Sequence, residues 1–310
     1  MIDYGWREII KLAIFYGSFL YLPAAAAFVW IMLKRSGAAR NLAALILAPL
    51  TALAYARFVE PRILLTVEHK AELDRCLPAA GSARLALLSD THEGLFGNAV
   101  AIDRIARRVN AANPDAVFIA GDLTYFVAAG RYNETFAALG AIEAPVFAVF
   151  GNHDIGLPGP NVAEPLTGAL KSAGVAVIDN EKTAIAIGGA RIEIVGLSDL
   201  WGEAQDRTLL EKRGDVPRLV LTHNPETILG LKSSETVDFM LAGHTHGGQI
   251  NIPFVTCALT SACRVTRYGL KKTERGKVFV TSGTGMVALP MRFNAVPRID
   301  VINLSWRSCG

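Results

Sequence analysis

The sequence predicts an α/β domain of two stacked β-sheets flanked by helices, carried behind an apolar helical hairpin at the N-terminus. Three observations predict it: five short apolar runs that each end on carboxylate, imidazole or amide residues, helix-like stretches between them, and long uncharged runs in the first 60 residues. Open α/β sheets put ligand sites at the carboxyl ends of their strands, which is where those polar residues fall.

From the N-terminus, residues 12–33 form a run of 22 residues without a charge. As a helix that run is about 33 Å long, enough to cross about 30 Å of hydrocarbon. Lys34, Arg35 and Arg40 mark a short basic loop, and 41–56 adds 16 uncharged residues. This second run gives about 24 Å of helix and spans only if Arg57 snorkels. Pro23 and Pro49 can kink either helix, which a membrane tolerates when neighbours satisfy the freed backbone. A two-helix membrane anchor over 1–60 is the expectation. The alternatives are a signal peptide cleaved near Ala24, Ala25 and Ala26, which the apolar continuation through 28–33 disfavours, or one helix followed by a buried segment.

Arg7, Lys11, Arg57, Arg62, Lys70 and Arg75 at the outer ends of the pair outnumber the three basic residues of the loop, although the loop is denser in charge and carries no acid. The count predicts an inner or plasma membrane protein with its catalytic domain on the cytoplasmic face. Residues 61–81, with Pro61, Pro78 and Gly81, read as a linker, and 82–310 reads as one catalytic domain with a single core.

Within that domain the apolar runs are 85–89, 116–120, 146–150, 218–222 and 237–242, and the helix-like stretches are 98–112, 131–139 and 163–173. Further strand-like pieces at 175–178, 184–187, 191–195, 277–281 and 298–304 exceed what one sheet needs, so two sheets are expected. Gly121, Gly151, Gly243, Gly247 and Gly248 suit turns packed closely against a ligand site.

The polar residues that follow the strands are Asp90 and His92, Asp122, Asn152 and His153, His223, then His244 and His246. A carboxylate can bridge two cations while imidazoles and an amide oxygen complete each shell. Oxygen and nitrogen donors without thiolate favour manganese, iron or zinc over calcium. One such residue alone is ordinarily a core histidine or a helix-capping aspartate, but five of the six histidines fall inside these blocks. The sixth, His69, reads as a surface residue.

Asp-x-His, Gly-Asp, Gly-Asn-His-Asp, a lone His and Gly-His-x-His, in this order over 84–304, resemble the calcineurin-like metallophosphoesterases. The resemblance implies a four-layer sandwich holding two divalent ions. It implies that Asp90, His92 and His246 hold one ion, that Asn152, His223 and His244 hold the other, that Asp122 bridges both, and that His153 is the nearby acid. Ions about 3.5 to 4 Å apart clamp the attacking and leaving oxygens of an in-line displacement. Residues 222–225, 243–250, 282–285 and 290–293 resemble a membrane-linked bacterial branch that includes relatives of the UDP-2,3-diacylglucosamine pyrophosphohydrolases. Protein Ser/Thr phosphatases of the superfamily carry an acidic residue three positions after the bridging Asp. Tyr125 stands there in this chain, which argues against a protein phosphatase.

Other residues carry two readings each. Asp154 is placed to orient the His153 ring. Asn98 and Arg292 are candidate phosphate contacts, or a helix cap and an ion-pair partner. Tyr125 and Phe126 line an apolar wall or pack in the core. Arg264, Arg267, Lys271, Lys272, Arg275 and Lys277, opposed only by Glu274, attract anionic headgroups or form an ordinary solvated loop. Cys76, Cys257, Cys263 and Cys309 lack metal-site spacing and read as free thiols or packing residues.

The net charge of +3 resides in the first 60 residues, where six basic residues face three acids, and the balanced remainder carries no footprint for nucleic acid. No protein partner is expected. The functional expectation is a membrane-anchored phosphoesterase with two divalent metal ions, cleaving a phosphoester or pyrophosphate in a lipid-linked or small substrate. A general phosphodiesterase on soluble diesters or phospholipids stands beside it, with a non-catalytic metal-binding interaction module as a third reading.

Overall fold

A computed structural model describes residues 5–97, 99–211 and 214–309. Helix α1 (Trp6–Gly17) continues through a 3-10 turn into α2 (Tyr21–Lys34), and after Arg35 and Ser36 the chain returns along α2 as α3 (Gly37–Phe58). Both arms, Trp6–Lys34 and Gly37–Arg62, are long and apolar enough to cross a membrane. Their apolar side chains face outward, with Leu33 78% and Leu45 72% exposed, so no protein core accounts for them.

Arg57 does not snorkel as the sequence suggested. It is buried at the base of the hairpin, where its Nε donates to Ser18 Oγ at 2.8 Å and its guanidinium lies 4.3 Å over the Phe15 ring, close to Phe19 and Phe58. The charge is satisfied by a hydroxyl and three aromatic faces instead of by water. The short second run is also lengthened, because α3 begins before Arg40 and spans 22 residues.

The α/β body follows in the order β1 (Leu65–Glu72), β2 (Gly81–Leu88), β3 (Glu93–Gly94), α4 (Ile102–Ala112), β4 (Ala116–Ala120), β5 (Thr124–Tyr125), α5 (Tyr132–Phe136), β6 (Val146–Val149), α6 (Ala163–Ser172), β7 (Val175–Val177), β8 (Lys182–Ile187), β9 (Ala190–Gly196), β10 (Arg218–Leu221), β11 (Phe239–Ala242), α7 (Val255–Leu259), β12 (Gly269–Thr273), β13 (Gly276–Val280) and β14 (Arg298–Trp306). One six-stranded sheet runs β1-β14-β2-β4-β6-β7 and the other β12-β13-β11-β10-β9-β8, while β3 and β5 pair separately.

Strand alternation makes the layers. Leu85, Leu87, Phe118 and Ala120 point into the core between the sheets, where they meet Ile194, Leu219, Leu241 and Phe279. Ala86, Leu88, Val117 and Ile119, one residue out of step, point to the opposite face and pack under α4 and α6. Helix α4 buries Ile102, Ile105, Ala106 and Val109, spaced for one helical face, and ends on Asn113 in the left-handed conformation. The outer face of the second sheet, with Val195, Val220, Met240 and Val280, is covered by the 3-10 segments Arg207–Leu210 and Pro225–Gly230 rather than by long helices.

Within 61–81, which reads as a linker, Leu65–Glu72 is a strand pairing in parallel with β14 over eight residues. Its alternation carries Glu68, His69 and Lys70, so the pattern of an edge strand was masked by charge. His69 is not a simple surface residue: its Nε2 lies 2.8 Å from Asp300 Oδ1 and 3.1 Å from the Tyr268 hydroxyl. Asp300 is fully buried and also accepts from Thr281 Oγ1 at 2.6 Å, so this network ties β1 to β13 and β14.

The cysteines are likewise corrected. Cys76 pairs with Cys309 and Cys257 with Cys263, at Cα separations of 4.9 and 5.3 Å, and no free cysteine is left. A separation of 233 residues hides the first pair from any spacing rule. The C-terminal strand brings it together, with Cys309 N donating to Leu77 O at 2.8 Å.

Candidate metal centre

The five predicted strand ends converge on one edge of the stacked sheets. Asp90 and His92 follow β2, Asp122 follows β4, Asn152 and His153 follow β6, His223 follows β10, and His244 and His246 follow β11. Asp90, His92, Asp122, His153, His223, His244 and His246 form overlapping groups whose ligand atoms lie within 4.8 Å of one another. Asn152 joins them through the backbone, since its neighbour His153 donates its N–H to Asp122 Oδ1 at 2.9 Å.

The geometry divides into two halves around Asp122. On one side His92 Nε2 and His246 Nε2 face each other at 3.0 Å, with Asp90 Oδ1 3.3 Å from His246 Nε2. On the other, His244 Nδ1 and His223 Nε2 are 3.0 Å apart. Asp122 Oδ2 lies 3.2 Å from His223 Nε2 and 3.6 Å from His92 Nε2, so one oxygen reaches both halves. Two nitrogens 3.0 Å apart are readily spanned by two metal–nitrogen bonds of about 2.1 Å.

The donor set fits divalent ions. Asp90 Oδ1 and Asn152 Oδ1 are buried without a hydrogen-bond partner, an arrangement that is costly unless a cation or donor satisfies it. Each group's second polar atom is pinned: Asn152 Nδ2 donates to Leu157 O at 2.5 Å, and Asp90 Oδ2 accepts from His244 N at 3.1 Å. His223 Nδ1 donates to Ala120 O at 2.7 Å, which fixes the tautomer and leaves Nε2 toward the centre.

Backbone strain collects in the same place. Asp90, His92, Asp122, His244 and His246 all have φ between 46° and 72°, which L-residues rarely adopt. Gly121 takes φ 78°, and a Cβ there would stand 2.5 Å from Gly151 N; a Cβ on Gly151 would collide with Asp122 Oδ1. The two loops touch backbone to backbone because neither carries a side chain at the crossing.

Burial and charge set the protonation states. Burial pushes His92 and His246 well below their ordinary value, and burial together with His223 takes His244 to about 3, so these rings are neutral and ready to ligate. His223 goes the other way: burial opposes its charge, but Asp122, Asp90 and Asp199 outweigh it and raise the ring to about 10. Asp90 is raised to about 6, first by burial.

His153 sits at the rim, its ring edge-on to His92 at 4.9 Å and to Tyr125 at 4.6 Å. Its Nδ1 faces Pro158 O at 3.2 Å. Asp154 does not orient it. That carboxylate accepts from the backbone N–H groups of Gly151, Leu123 and Thr124 at 2.9 to 3.2 Å, welding the Asp122 loop to the Asn152 loop. Tyr125 is buried, and its hydroxyl is held by Lys11 of α1 while Phe15 stacks on Phe96 at 5.7 Å, so the base of the hairpin walls one side of the site.

Arg292 is not a phosphate contact. It is fully buried, donating to Gly285 O at 2.7 Å, Ala295 O at 2.8 Å and Ser282 O at 3.0 Å, with its Nη2 3.4 Å from His246 Nδ1. Its place behind His246 makes it a strut for the metal-side loops. Asn98 lies outside the described residues. Two groups went unforeseen. The carboxyl end of β9 delivers Asp199, buried with Oδ2 unpartnered, and Trp201, whose ring meets His244 edge-on at 4.4 Å. A signal was present: the strand-like alternation of 191–195 leads into Ser198 and Asp199 as the other strands lead into the candidate ligands.

Arg292→Ala leaves three buried carbonyls without a donor, and its cost falls on folding: a loss of about 3 kcal/mol or more is expected, read as a lowered melting temperature in detergent. A substrate contact would instead lower turnover with the melting temperature unchanged.

The sequence profile of calcineurin-like phosphoesterases matches residues 83–248. The phosphodiesterase YaeI of Escherichia coli is 31% identical over 256 residues, 81% of this chain and 92% of that protein. YkuE of Bacillus subtilis, described as an uncharacterized metallophosphoesterase, is 29% identical over 262 residues, 81% of this chain and 88% of its own. A bovine transmembrane protein with a metallophosphoesterase domain is 27% identical over 281 residues, 85% of this chain and 62% of its own. Taken with the strand-end cluster of aspartates and histidines, the match over more than half the chain makes this protein a member of the calcineurin-like phosphoesterase family, a metal-dependent phosphoester hydrolase.

Proposed function

We propose that the protein is a membrane-anchored, dinuclear phosphodiesterase acting on a phosphoester or pyrophosphate bond in an amphiphilic substrate at the bilayer surface. The observation that carries the reading is the convergence of paired imidazoles and two unpartnered carboxylate and amide oxygens, Asp90 Oδ1 and Asn152 Oδ1, about the shared carboxylate of Asp122. In this reading Asp90, His92 and His246 hold one ion, Asn152, His223 and His244 the other, and Asp122 belongs to both. Manganese, iron or zinc held there would neutralise charge at the phosphoryl group and make a water more acidic.

The chain's own groups do the rest. Asp154 and the Gly121–Gly151 crossing hold the ligand loops rigid, so the donors need not reorganise. With its Nδ1–H held by Pro158 O, the imidazolium form of His153 would present Nε2–H to the leaving oxygen and return to the neutral ring as that proton passes over. Burial depresses its basicity, and an anionic substrate drawn beside it counteracts that. The apolar hairpin supports a lipid-linked substrate, because a tether holds the site at high effective concentration near headgroups. A UDP-linked diacylglucosamine remains one member of that class.

The two disulfides support an oxidising compartment for the catalytic domain. This reverses the cytoplasmic face favoured by counting charges at the helix ends. It agrees with the acid-free loop of Lys34, Arg35 and Arg40 lying on the cytoplasmic side. Alkaline phosphatase fused after Gly310 is expected to be active and a green fluorescent protein fusion dark; the opposite pattern returns the domain to the cytoplasm.

Turnover tests the chemistry. Metal-loaded protein in detergent is expected to hydrolyse bis(p-nitrophenyl) phosphate and a phospholipid, with Asp122→Ala abolishing both. His153→Asn is expected to lose about 10²- to 10⁴-fold on an alkyl diester but far less on the nitrophenyl ester, whose leaving group needs little protonation. Two bound metals without turnover on any phosphoester would favour the non-catalytic module.

Asp122, Asp90 and Asp199 outweigh burial and push His223 up to about 10, which favours the protonated ring, so an ion held there would have to displace that proton. Calorimetry at pH 7 in buffers of different ionisation enthalpy is expected to show at least one proton released and an affinity that rises with pH. His223→Ala removes that proton; unchanged release in this variant refutes the assignment.

A further inference from the structure

Beside His244 and His246 opens a cleft of about 210 Å³ that is bordered by Gly248, Gln249, Thr260 and Ala288. The same four residues border a second groove of about 300 Å³, whose remaining walls are Ile250, Ile252, Val255, Thr256, Leu259 and Leu289. The polar mouth at the candidate metal centre and an apolar trough thus lie side by side, sharing these four residues. Its outer lip carries Phe254, 95% exposed, and Leu259, 79% exposed, with Ile252 and Val255 about half exposed. A lip this apolar is disfavoured in water.

The lip is built to stay in place. Thr256 is buried, its Oγ1 donating to Ile250 O at 2.8 Å and accepting from Ile252 N at 2.9 Å, and the Cys257–Cys263 disulfide closes the segment behind it. Phe254 is held at φ 66°, a conformation that turns the chain sharply at the tip.

The trough is also joined to the hairpin. Asn251 N donates to Phe293 O at 2.8 Å and Phe293 N to Gln249 O at 2.9 Å. The adjoining Arg292 N donates to Ala56 O of α3 at 2.9 Å, and Ala295 N to Glu60 Oε1 at 2.6 Å. One segment, 291–295, therefore connects the groove to the end of the second apolar helix, where a membrane-crossing hairpin leaves the bilayer.

We propose that the groove is an acyl-chain site: it takes one hydrocarbon tail of a bilayer lipid whose phosphate lies at the metal centre, while Phe254 and Leu259 dip into the same leaflet. This deepens, and rests on, the reading of the site as a metallophosphoesterase. A mixed surface with a polar mouth and an apolar sleeve fits an amphiphile and gives a soluble diester nothing to fill the sleeve.

The test uses the full chain in detergent micelles, with hydrolysis of bis(p-nitrophenyl) phosphate as the readout and phosphatidylglycerols of different chain length as competitors. Dioleoyl phosphatidylglycerol is expected to compete at least tenfold better than its dibutyryl counterpart. Val255→Trp, which fills the groove, and Leu259→Ser, at an exposed position, are expected to erase most of that difference. The same chain-length ratio in wild type and both variants overturns the proposal. In proteoliposomes, Phe254→Trp is expected to add fluorescence that brominated acyl chains quench relative to wild type, and added fluorescence that they leave unquenched also overturns it. Wild-type protein inert toward the nitrophenyl diester overturns the underlying metallophosphoesterase reading, a result that the chain-length ratio cannot mimic.

Discussion

The structure turns on the carboxylate of Asp122. One of its oxygens takes the N–H of His153 and the other stands between His223 and His92, so a single side chain ties the β4 loop to the ends of β2, β6 and β10. Such a position is reached only because Gly151 lets Asp122 lie directly against its backbone and because Gly121 turns the chain at φ 78°. Asp154 secures the crossing from below with three backbone hydrogen bonds, and burial beside Asp122 raises that carboxyl to about 7. The cost of burying carboxylates and imidazoles together is concentrated here, and divalent cations would relieve it.

Around this point the two sheets act as rulers. Their central strands are buried on both faces, which fixes register, and register fixes which side chain leaves each carboxyl end pointing into the common edge. Support then comes from buried groups behind the candidate ligands: Arg292 behind His246, the Ala120 carbonyl behind His223, and the Leu157 carbonyl behind Asn152.

The hairpin is coupled to the same machinery. Arg57 joins its two arms through Ser18 and a cage of phenylalanines, Lys11 reaches Tyr125, and α3 passes a backbone hydrogen bond to Arg292. The apolar helices therefore border the active site directly, on the side where the apolar groove also opens. That proximity of apolar helices and groove is the physical ground for the proposal of an amphiphilic substrate.

Much of the site was legible in the residue order, because each ligand follows an apolar run and the chemistry of two cations demands that mixture of carboxylate, imidazole and amide. The pairing of strands into two sheets was legible from their number and alternation. Other features were not. Arg292 reads as an exposed anion-binding residue until three carbonyls close over it, and Asp154 as a partner of His153 until the backbone claims both its oxygens. The strand at Leu65–Glu72, the His69–Asp300 pair and the Cys76–Cys309 disulfide all depend on β14 returning from the far end of the chain. Local sequence determines which residues can form a strand or hold a metal, since propensity and donor chemistry belong to short segments. Which distant groups share a buried volume is decided only when the sheets stack, because contact, desolvation and pairing are properties of the packed chain.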